Sequence, residues 1–265
     1  MCIIFGALMP HPPLIMPAIG KEHTKKFRKT LRSFKQLEQD FYASKPDTLI
    51  LLSPHGKIMK DAYSINLCAK YVGTFEEFGD FSTRIEIKGD VMSIQHIRAA
   101  AEVENKYSLI MTSDEKIDYG VSIPHFFLTQ HLSGTGIIPL SPSEKSLAEH
   151  FEFGKFLKRA IVRINKRFSI VASGDLSHRL TKNSPGGYSK NAVNFNKRVM
   201  QYLEKCDIES FLHFPPDEIQ DAAECSLKVI AMLLGIFHET DKQVELLSYE
   251  YPFGVGYLTA EVTLS

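Results

Sequence analysis

Three short apolar segments of the chain each lead directly into a histidine. They are CIIFGALMPHPP, which contains His11, TLILLSPHG, which contains His55, and FSIVASGDLSH, which ends at His178. Each begins as a run of β-branched and other apolar residues closed by Pro or Gly, which is typical of a strand buried on both faces of an α/β sheet. Such sheets bind ligands at the carboxyl ends of their strands. The pattern therefore predicts that the three histidines meet at one site.

The intervening segments alternate between helical and extended patterns. Residues 21–41 carry an apolar stripe at helical spacing, which predicts a surface helix, and residues 62–71 and 81–88 alternate apolar and polar positions as half-exposed strands do. Further helices are expected over 91–105, 145–167, 189–205 and 218–238, and another is expected to begin near Pro124. Strands are expected over 48–53, 108–112, 137–141 and 168–173. The C-terminal segment is expected to form an antiparallel pair of strands joined at Pro252.

This alternation predicts an α/β fold. We expect a single domain over residues 1–265, with a central, mostly parallel sheet flanked by helices and an active site at the strand carboxyl ends. A chain of 265 residues that is 44% hydrophobic can bury one large core. We find no internal repeat, low-complexity segment or linker that would divide it.

Charge and cysteine content argue against several classes of protein. Lysine and arginine number 31, as do aspartate and glutamate, so the net charge is zero and does not favour binding to nucleic acid or to anionic membranes. The four cysteines are widely spaced without a CxxC motif, unlike those of a disulfide scaffold or zinc ribbon. The N-terminal segment lacks the basic start of a signal peptide, and the apolar run 229–237 is too short to span a bilayer. We therefore expect a cytoplasmic location.

His11 and His55 are the candidate metal ligands. Pro12 and Pro13 hold the turn after His11 rigid, because proline fixes φ and removes an N–H donor, and Gly56 lets a ligand approach the backbone beside His55. Either histidine alone could equally serve local hydrogen bonds. Their matched strand–Pro–His context favours the pair as ligands. A mononuclear iron(II) centre requires two such imidazoles and one carboxylate.

The candidate carboxylate is Glu224, in the segment DAAECSLKVIAMLLG. A charge at the start of an otherwise apolar segment is costly without a partner, which favours a ligand. Asp221 precedes it by three residues, however, so Glu224 could equally complete a helix capping box. The neighbouring Cys225 is a further potential ligand. The spacing alone leaves these readings open.

His178 is the candidate acid/base, because imidazole titrates near neutral pH and can accept and return a proton. A structural role is the alternative, and Asp175 could either orient the ring or cap the following turn. The sequence contains no GxGxxG, GxxxxGK[ST], HExxH or GxSxG motif, which argues against dinucleotide-binding proteins, P-loop proteins, zincins and α/β-hydrolases.

Six motifs, taken in order, resemble the class III extradiol ring-cleavage dioxygenases, in particular the LigB-type catalytic subunit. They are MPHPPL, SPHG, DYGVSIPHFFL, SGDLSHRL, AECSLKVI and FGVGYLTAE, and the resemblance covers essentially the whole chain. It is greatest to the bacterial branch found beside Memo-like and radical-SAM proteins. It implies that His11, His55 and Glu224 ligate iron(II), which zinc could replace after purification, and that His178 is the acid/base. A catechol-like diol would bind the metal and its ring would open with O2.

The sequence departs from the family pattern at two positions. Tyr119 stands where the family's DHG segment has histidine, and Cys225 adjoins Glu224 near a position that holds cysteine in the Memo branch. The leading expectation is an iron(II) dioxygenase acting on an aromatic diol, and the departures favour the alternative of a Memo-like metal-binding or partner-binding protein without ring cleavage. A metal-dependent hydrolase would use the same ligands. A homo-oligomer or a protein partner from a Memo system is compatible with either.

Overall fold

The computed structural model describes residues 2–264, in which strands and helices alternate along the chain. The strands are β1 (Ile3–Met9), β2 (Thr48–Leu52), β3 (Tyr63–Asn66), β4 (Lys70–Phe75), β5 (Asp80–Lys88), β6 (Leu109–Thr112), β7 (Lys116–Ile117), β8 (Gly136–Ser141), β9 (Phe168–Ser173), β10 (Lys242–Glu250) and β11 (Tyr257–Leu264). The helices are α1 (Pro17–Gly20), α2 (Arg28–Ser44), α3 (Val91–Glu104), α4 (Tyr119–Leu128), α5 (Leu147–Ile161), α6 (Ala192–Glu204), α7 (Ile208–Leu212), α8 (Pro216–Ala222) and α9 (Leu227–Ile236).

Within residues 2–264, eight strands form one sheet in the order β10–β11–β1–β9–β2–β8–β3–β6. The four central strands, β1, β9, β2 and β8, run parallel to one another. β11 and β10 extend the sheet antiparallel at one end, and at the other β3 runs against β8 with β6 parallel to it. The prediction of an α/β domain with a mostly parallel central sheet is confirmed.

Both faces of the central strands are buried, because their side chains alternate between two apolar clusters. Along β2, Ile50 and Leu52 belong to one cluster while Leu49 and Leu51 belong to the other. Helices α3, α5, α6 and α9 contribute to the first cluster, and α2 and α4 to the second. This two-sided burial explains why the central strands read as continuous apolar runs. Among the described residues, no helix is both long enough and apolar enough to cross a membrane.

A smaller sheet stands apart from the large one. It has the order β5–β4–β7 and is built around the β4–β5 hairpin, whose tip is a 3₁₀ turn over Glu76–Phe78. The half-exposed strand expected over 62–71 is in fact two strands, β3 and β4, and they belong to different sheets. The break between them carries the chain from the large sheet to the small one.

Several expected helices have different bounds. The helix expected over 218–238 is wrong as a single element, because the chain ends α8 at Ala222, passes through Ala223 in the left-handed region (φ 50°) and begins α9 only at Leu227. The helix expected to begin near Pro124 begins at Tyr119 instead, because the Asp118 side chain accepts the N–H of Val121 and caps it. The helix expected over 145–167 is shorter, α5, and the stripe over 21–41 is a 3₁₀ segment followed by α2.

Candidate metal centre

The two predicted ligand histidines follow strands that flank β9. His11 comes after β1 and His55 after β2, while the loop after β9 carries His178. The order β1–β9–β2 and the parallel register bring the carboxyl ends of all three strands to one edge of the sheet. The sequence pattern therefore located the edge at which these residues gather.

Three side chains meet there with donor atoms directed at one another. His11 Nε2 lies 3.0 Å from His55 Nε2 and 3.7 Å from Cys225 Sγ. The ligand atoms of the three residues all lie within 4.8 Å of one another, which makes this a possible His-His-Cys metal site. Within residues 2–264, no second group of three or more such side chains could hold a metal ion.

His11 is held in place by residues of β9 and the loop after it. Its Nδ1 lies 2.8 Å from Ser173 Oγ, and its backbone N–H donates to Asp175 Oδ1 at 3.0 Å. With Nδ1 occupied by the serine, Nε2 is the nitrogen free to bind a metal. Hydrogen bonding of the second ring nitrogen is how proteins fix the tautomer of a ligand histidine.

His55 is held by the start of α4. Its backbone N–H donates to Ser53 Oγ at 3.2 Å, and that hydroxyl donates to Asp118 Oδ1 at 2.6 Å. Gly120 makes this approach possible, because a Cβ there would lie 2.5 Å from Ser53 Oγ and 3.2 Å from His55 Cδ2. The cap of α4 thus also positions a ligand.

Tyr119 forms an aromatic wall at the site. Its ring stacks on that of His55 with centroids 4.4 Å apart, and its hydroxyl lies 3.5 Å from His55 Nδ1. It also meets the rings of His11 and of Phe78, at the tip of the β4–β5 hairpin, in edge-to-face arrangements with centroids 5.4 and 5.1 Å apart. Aromatic rings therefore pack beside the two candidate ligands.

Cys225 reaches the cluster because it lies in the break between α8 and α9. The segment 174–178 after β9 runs against this break: Cys225 N–H donates to Asp175 O at 3.1 Å, and Asp175 N–H approaches Cys225 Sγ at 3.3 Å. Gly174 permits the contact, since a Cβ there would lie 2.6 Å from Ser226 Cα. A continuous helix could not place the thiol in this way.

Burial keeps both imidazoles neutral. It lowers the pKa of His11 to about 3, with a smaller contribution from the charge of His178, and it lowers the pKa of His55 to about 3, with contributions from His11 and His178. Neutral imidazole is the form that binds metals. Burial, together with the charge of Asp175, raises the pKa of the Cys225 thiol, so metal binding would release a proton from it.

The structure does not bring Glu224 into the cluster. Its carboxylate accepts the backbone N–H groups of Ser226 and Leu227, the latter at 2.7 Å, and the hydroxyl of Ser226. It therefore caps the start of α9, where the helix dipole favours an anion. The alternative of a capping box with Asp221 is not found in the described structure, because Asp221 instead accepts hydrogen bonds from Ser189 and Asn191.

His178 lies beside the cluster. Its backbone N–H donates to the carbonyl of Ala222 at 3.1 Å, three residues before Cys225, and its electrostatic interaction contributes to the lowered pKa values of His11 and His55. Its Nδ1 is buried and makes no hydrogen bond within residues 2–264. Asp175 does not pair with that nitrogen. It bonds His11 through its carboxylate, and burial raises its pKa to about 6.

The donor set fits a transition metal. Two imidazoles with a thiol suit zinc, copper or iron, whereas magnesium and calcium require oxygen ligands. Two of the three donors are those of a two-histidine, one-carboxylate iron site, and the thiol replaces the carboxylate. Sequence reasoning named Cys225 only as a further ligand and missed the supporting hydroxyls of Ser53 and Ser173. The position of Ser173, as the last residue of the strand before His178, was the available signal.

Comparisons with known proteins agree with this architecture. The family model described as the catalytic LigB subunit of aromatic ring-opening dioxygenase matches residues 5–260. Protein CA_C1420 of Clostridium acetobutylicum is 30% identical over 258 residues, covering 94% of this chain and 55% of that protein, so the chain spans about half of that relative's length. The crystal structure of uncharacterized protein JW3007 from Escherichia coli K12 has a TM-score of 0.68 at 15% identity, covers 98% of this chain and 100% of its own, and is alike in fold.

The third ligand can be assigned by comparing two neighbouring substitutions. We expect Cys225→Ala to weaken binding of cobalt(II) by at least about 100-fold, more than the loss of a supporting residue costs, and to abolish the near-ultraviolet thiolate-to-cobalt absorption. Glu224→Gln should keep both the wild-type affinity and this band, since the carboxylate caps α9. The reverse result would make Glu224 the third ligand.

The role of Ser173 can be tested against a second buried serine of the same strand. We expect Ser173→Ala to lower metal affinity about 10- to 100-fold, because His11 Nδ1 loses its partner. Ser169, on β9, is also buried, and its hydroxyl has no partner among the described residues, so Ser169→Ala is the matched control. Titration of the metal-free proteins with zinc measures both. Equal affinities would contradict a positioning role.

Proposed function

Because the chain belongs to the family of catalytic LigB subunits of aromatic ring-opening dioxygenases, we propose that it is a metal-dependent dioxygenase that opens the ring of a catechol-like diol with O2. We propose iron(II) as the metal and His11, His55 and Cys225 as its ligands. The observation that carries the proposal is the pair of neutral imidazoles, whose Nε2 atoms lie 3.0 Å apart at the strand carboxyl ends. The expectation that Glu224 is a ligand stays a prediction.

Each neighbouring residue has a definable task in such a reaction. A bound metal would supply Lewis-acid and redox chemistry to a diol and O2. His178 is the proposed acid/base, since an imidazole can take the proton of a substrate hydroxyl and return it later. Tyr119 and Phe78 would pack against the aromatic ring, and Ser173 and Asp175 hold His11. The substrate class is thus a planar aromatic diol.

A second candidate function is a metal-binding protein that does not open rings. The specific observation in its favour is that the thiol of Cys225, and not a carboxylate, completes the cluster with His11 and His55. Thiolate with imidazole favours zinc or copper over the iron of the two-histidine, one-carboxylate sites. The Tyr119 ring already stacks on His55, so one face of that ring is not free to pack against a diol.

The two candidates are separated by reconstitution with metal. We expect protein loaded anaerobically with iron(II) to consume O2 when given one member of a panel of catechols and to form a yellow ring-opened product, measured by an oxygen electrode and visible absorption. Zinc-loaded protein is the control and should consume none. A stoichiometrically loaded iron protein that is inert to the whole panel would favour the second candidate.

The role of His178 is tested by its removal. We expect His178→Ala to bind iron(II) with wild-type stoichiometry and to lower turnover by about 10²–10⁴-fold, as loss of a general acid/base does. His213→Ala is the matched control, since His213 is an exposed histidine bonded to the backbone of Glu209. Loss of metal from the His178 variant would make His178 a ligand and contradict the assignment.

A further inference from the structure

A groove outside the metal site runs between the start of α2 and the end of β10. It has a volume of about 770 Å³, and the 3₁₀ segment before α2 forms part of its wall. Four basic side chains line it, Lys26, Arg28, Lys29 and Arg32. All four are exposed. The metal-site residues do not line this groove, so the inference drawn from it does not depend on the proposed function.

The four basic side chains lack acidic partners. Within residues 2–264, none of them has a carboxylate oxygen within 4.0 Å, whereas many other lysines and arginines of the chain do. Lys26 instead lies over the ring of Phe253, 4.7 Å from its centroid. Like charges held close together are mutually repulsive. The groove therefore presents a positively charged surface, and a bound anion would reduce the repulsion between the four side chains.

The one carboxylate in the groove is already engaged. Glu250 accepts the N–H of Thr30 at 2.8 Å and its hydroxyl at 2.7 Å, and the N–H of Lys29 at 3.4 Å. These are amides of the first turn of α2, which has no side-chain cap of its own. Glu250 thus caps the helix from another element, where the helix dipole favours an anion, and it makes no ion pair with the four cationic groups. It leaves the four cations available.

The other wall of the groove is a sheet edge. β10 is the terminal strand of the large sheet and pairs with β11 alone, so its outer N–H and C=O groups are open. The pairing register shifts between Leu246 and Ser248, and the buried Ser248 hydroxyl has no hydrogen-bond partner in the described structure. An extended chain added to this edge would pair with main-chain groups while its side chains faced the cations.

We propose that this groove binds an acidic segment of a polypeptide, docked as an extended strand along β10. Three of the cations, Arg28, Lys29 and Arg32, lie on α2, where positions 28 to 32 span about 6 Å along the helix. Same-face side chains of an extended strand repeat about every 6.6 Å, so two carboxylates of a segment with alternating acidic residues match this span. Nucleic acid is disfavoured, since the chain as a whole has a net charge of zero.

The test uses fluorescein-labelled ten-residue peptides and the full chain. We expect a Glu-Thr repeat to bind, by fluorescence anisotropy at low salt, and a Gln-Thr repeat of equal length to bind at least about 10-fold more weakly, because charge pairs supply the selectivity. Binding should weaken as salt screens the charges. N-methylation of alternate amides of the Glu-Thr peptide should also abolish binding, since these amides pair with β10.

Two double variants separate the groove from overall charge. Arg28→Glu with Arg32→Glu should weaken binding of the Glu-Thr peptide by at least about 10-fold, and an acid at position 28 is favourable in the first turn of α2. Lys60→Glu with Lys205→Glu makes the same change of net charge at exposed positions outside the groove and should leave binding unchanged. Thermal unfolding confirms that both variants fold.

Four outcomes would overturn the proposal. They are equal binding of the Glu-Thr and Gln-Thr peptides, equal loss of binding in both double variants, undiminished binding of the N-methylated peptide, and tighter binding of a labelled ten-nucleotide oligothymidylate than of the Glu-Thr peptide. The last result would identify the groove as a nucleic-acid site instead.

Discussion

The metal cluster depends on one close contact, between the loop after β9 and the gap between α8 and α9. Gly174 brings the backbone against Ser226 at a distance that no Cβ would allow. The segments are then joined by hydrogen bonds of Cys225 N–H to Asp175 and of His178 N–H and Ser177 Oγ to the carbonyl of Ala222. This contact fixes the thiol relative to His11, because Asp175 bonds both segments at once. The loop after β9 thus holds His11, which follows β1, and Cys225, which lies between α8 and α9, in fixed positions relative to each other.

The sequence was sufficient to predict the sheet and the edge at which the candidate ligand histidines gather. Buried parallel strands leave an unambiguous trace, since both faces are apolar, and a histidine after each strand must then lie at the same edge. Local chemistry was harder to predict. Glu224 and Cys225 are adjacent in a segment that is neither helix nor strand. No periodic pattern therefore predicts which of the two side chains faces the site. The helix break itself was missed because residues 216–236 are compatible with helix almost throughout. It results from Ala223 adopting the left-handed region, which costs free energy and is stabilised only by tertiary contacts.

Burial determines the charge state of the site. It lowers the pKa of His11 and His55 and raises the pKa of Asp175 and Cys225, so every group is shifted towards its neutral form. A closely packed cluster of donors can therefore exist in the folded protein without large repulsion or desolvation costs. The 3.0 Å contact between the two Nε2 atoms is a hydrogen bond in which one of them carries the proton. A cation that bound both nitrogens would shift that proton to the other nitrogen of its ring and displace the proton of the thiol. The packing that stabilises the fold thus also keeps both imidazoles in the uncharged form that binds metals.

The β4–β5 hairpin has a consequence for how this architecture can diversify. Its sheet is separate from the large sheet, and it reaches the aromatic wall through Phe78, at its tip. Neither strand of the hairpin pairs with β1 or β2, which precede the two candidate ligand histidines, or with β9 between them. If the protein binds an aromatic diol as proposed, substitutions at this tip would reshape the aromatic wall while the strands that precede the candidate ligands stayed as they are.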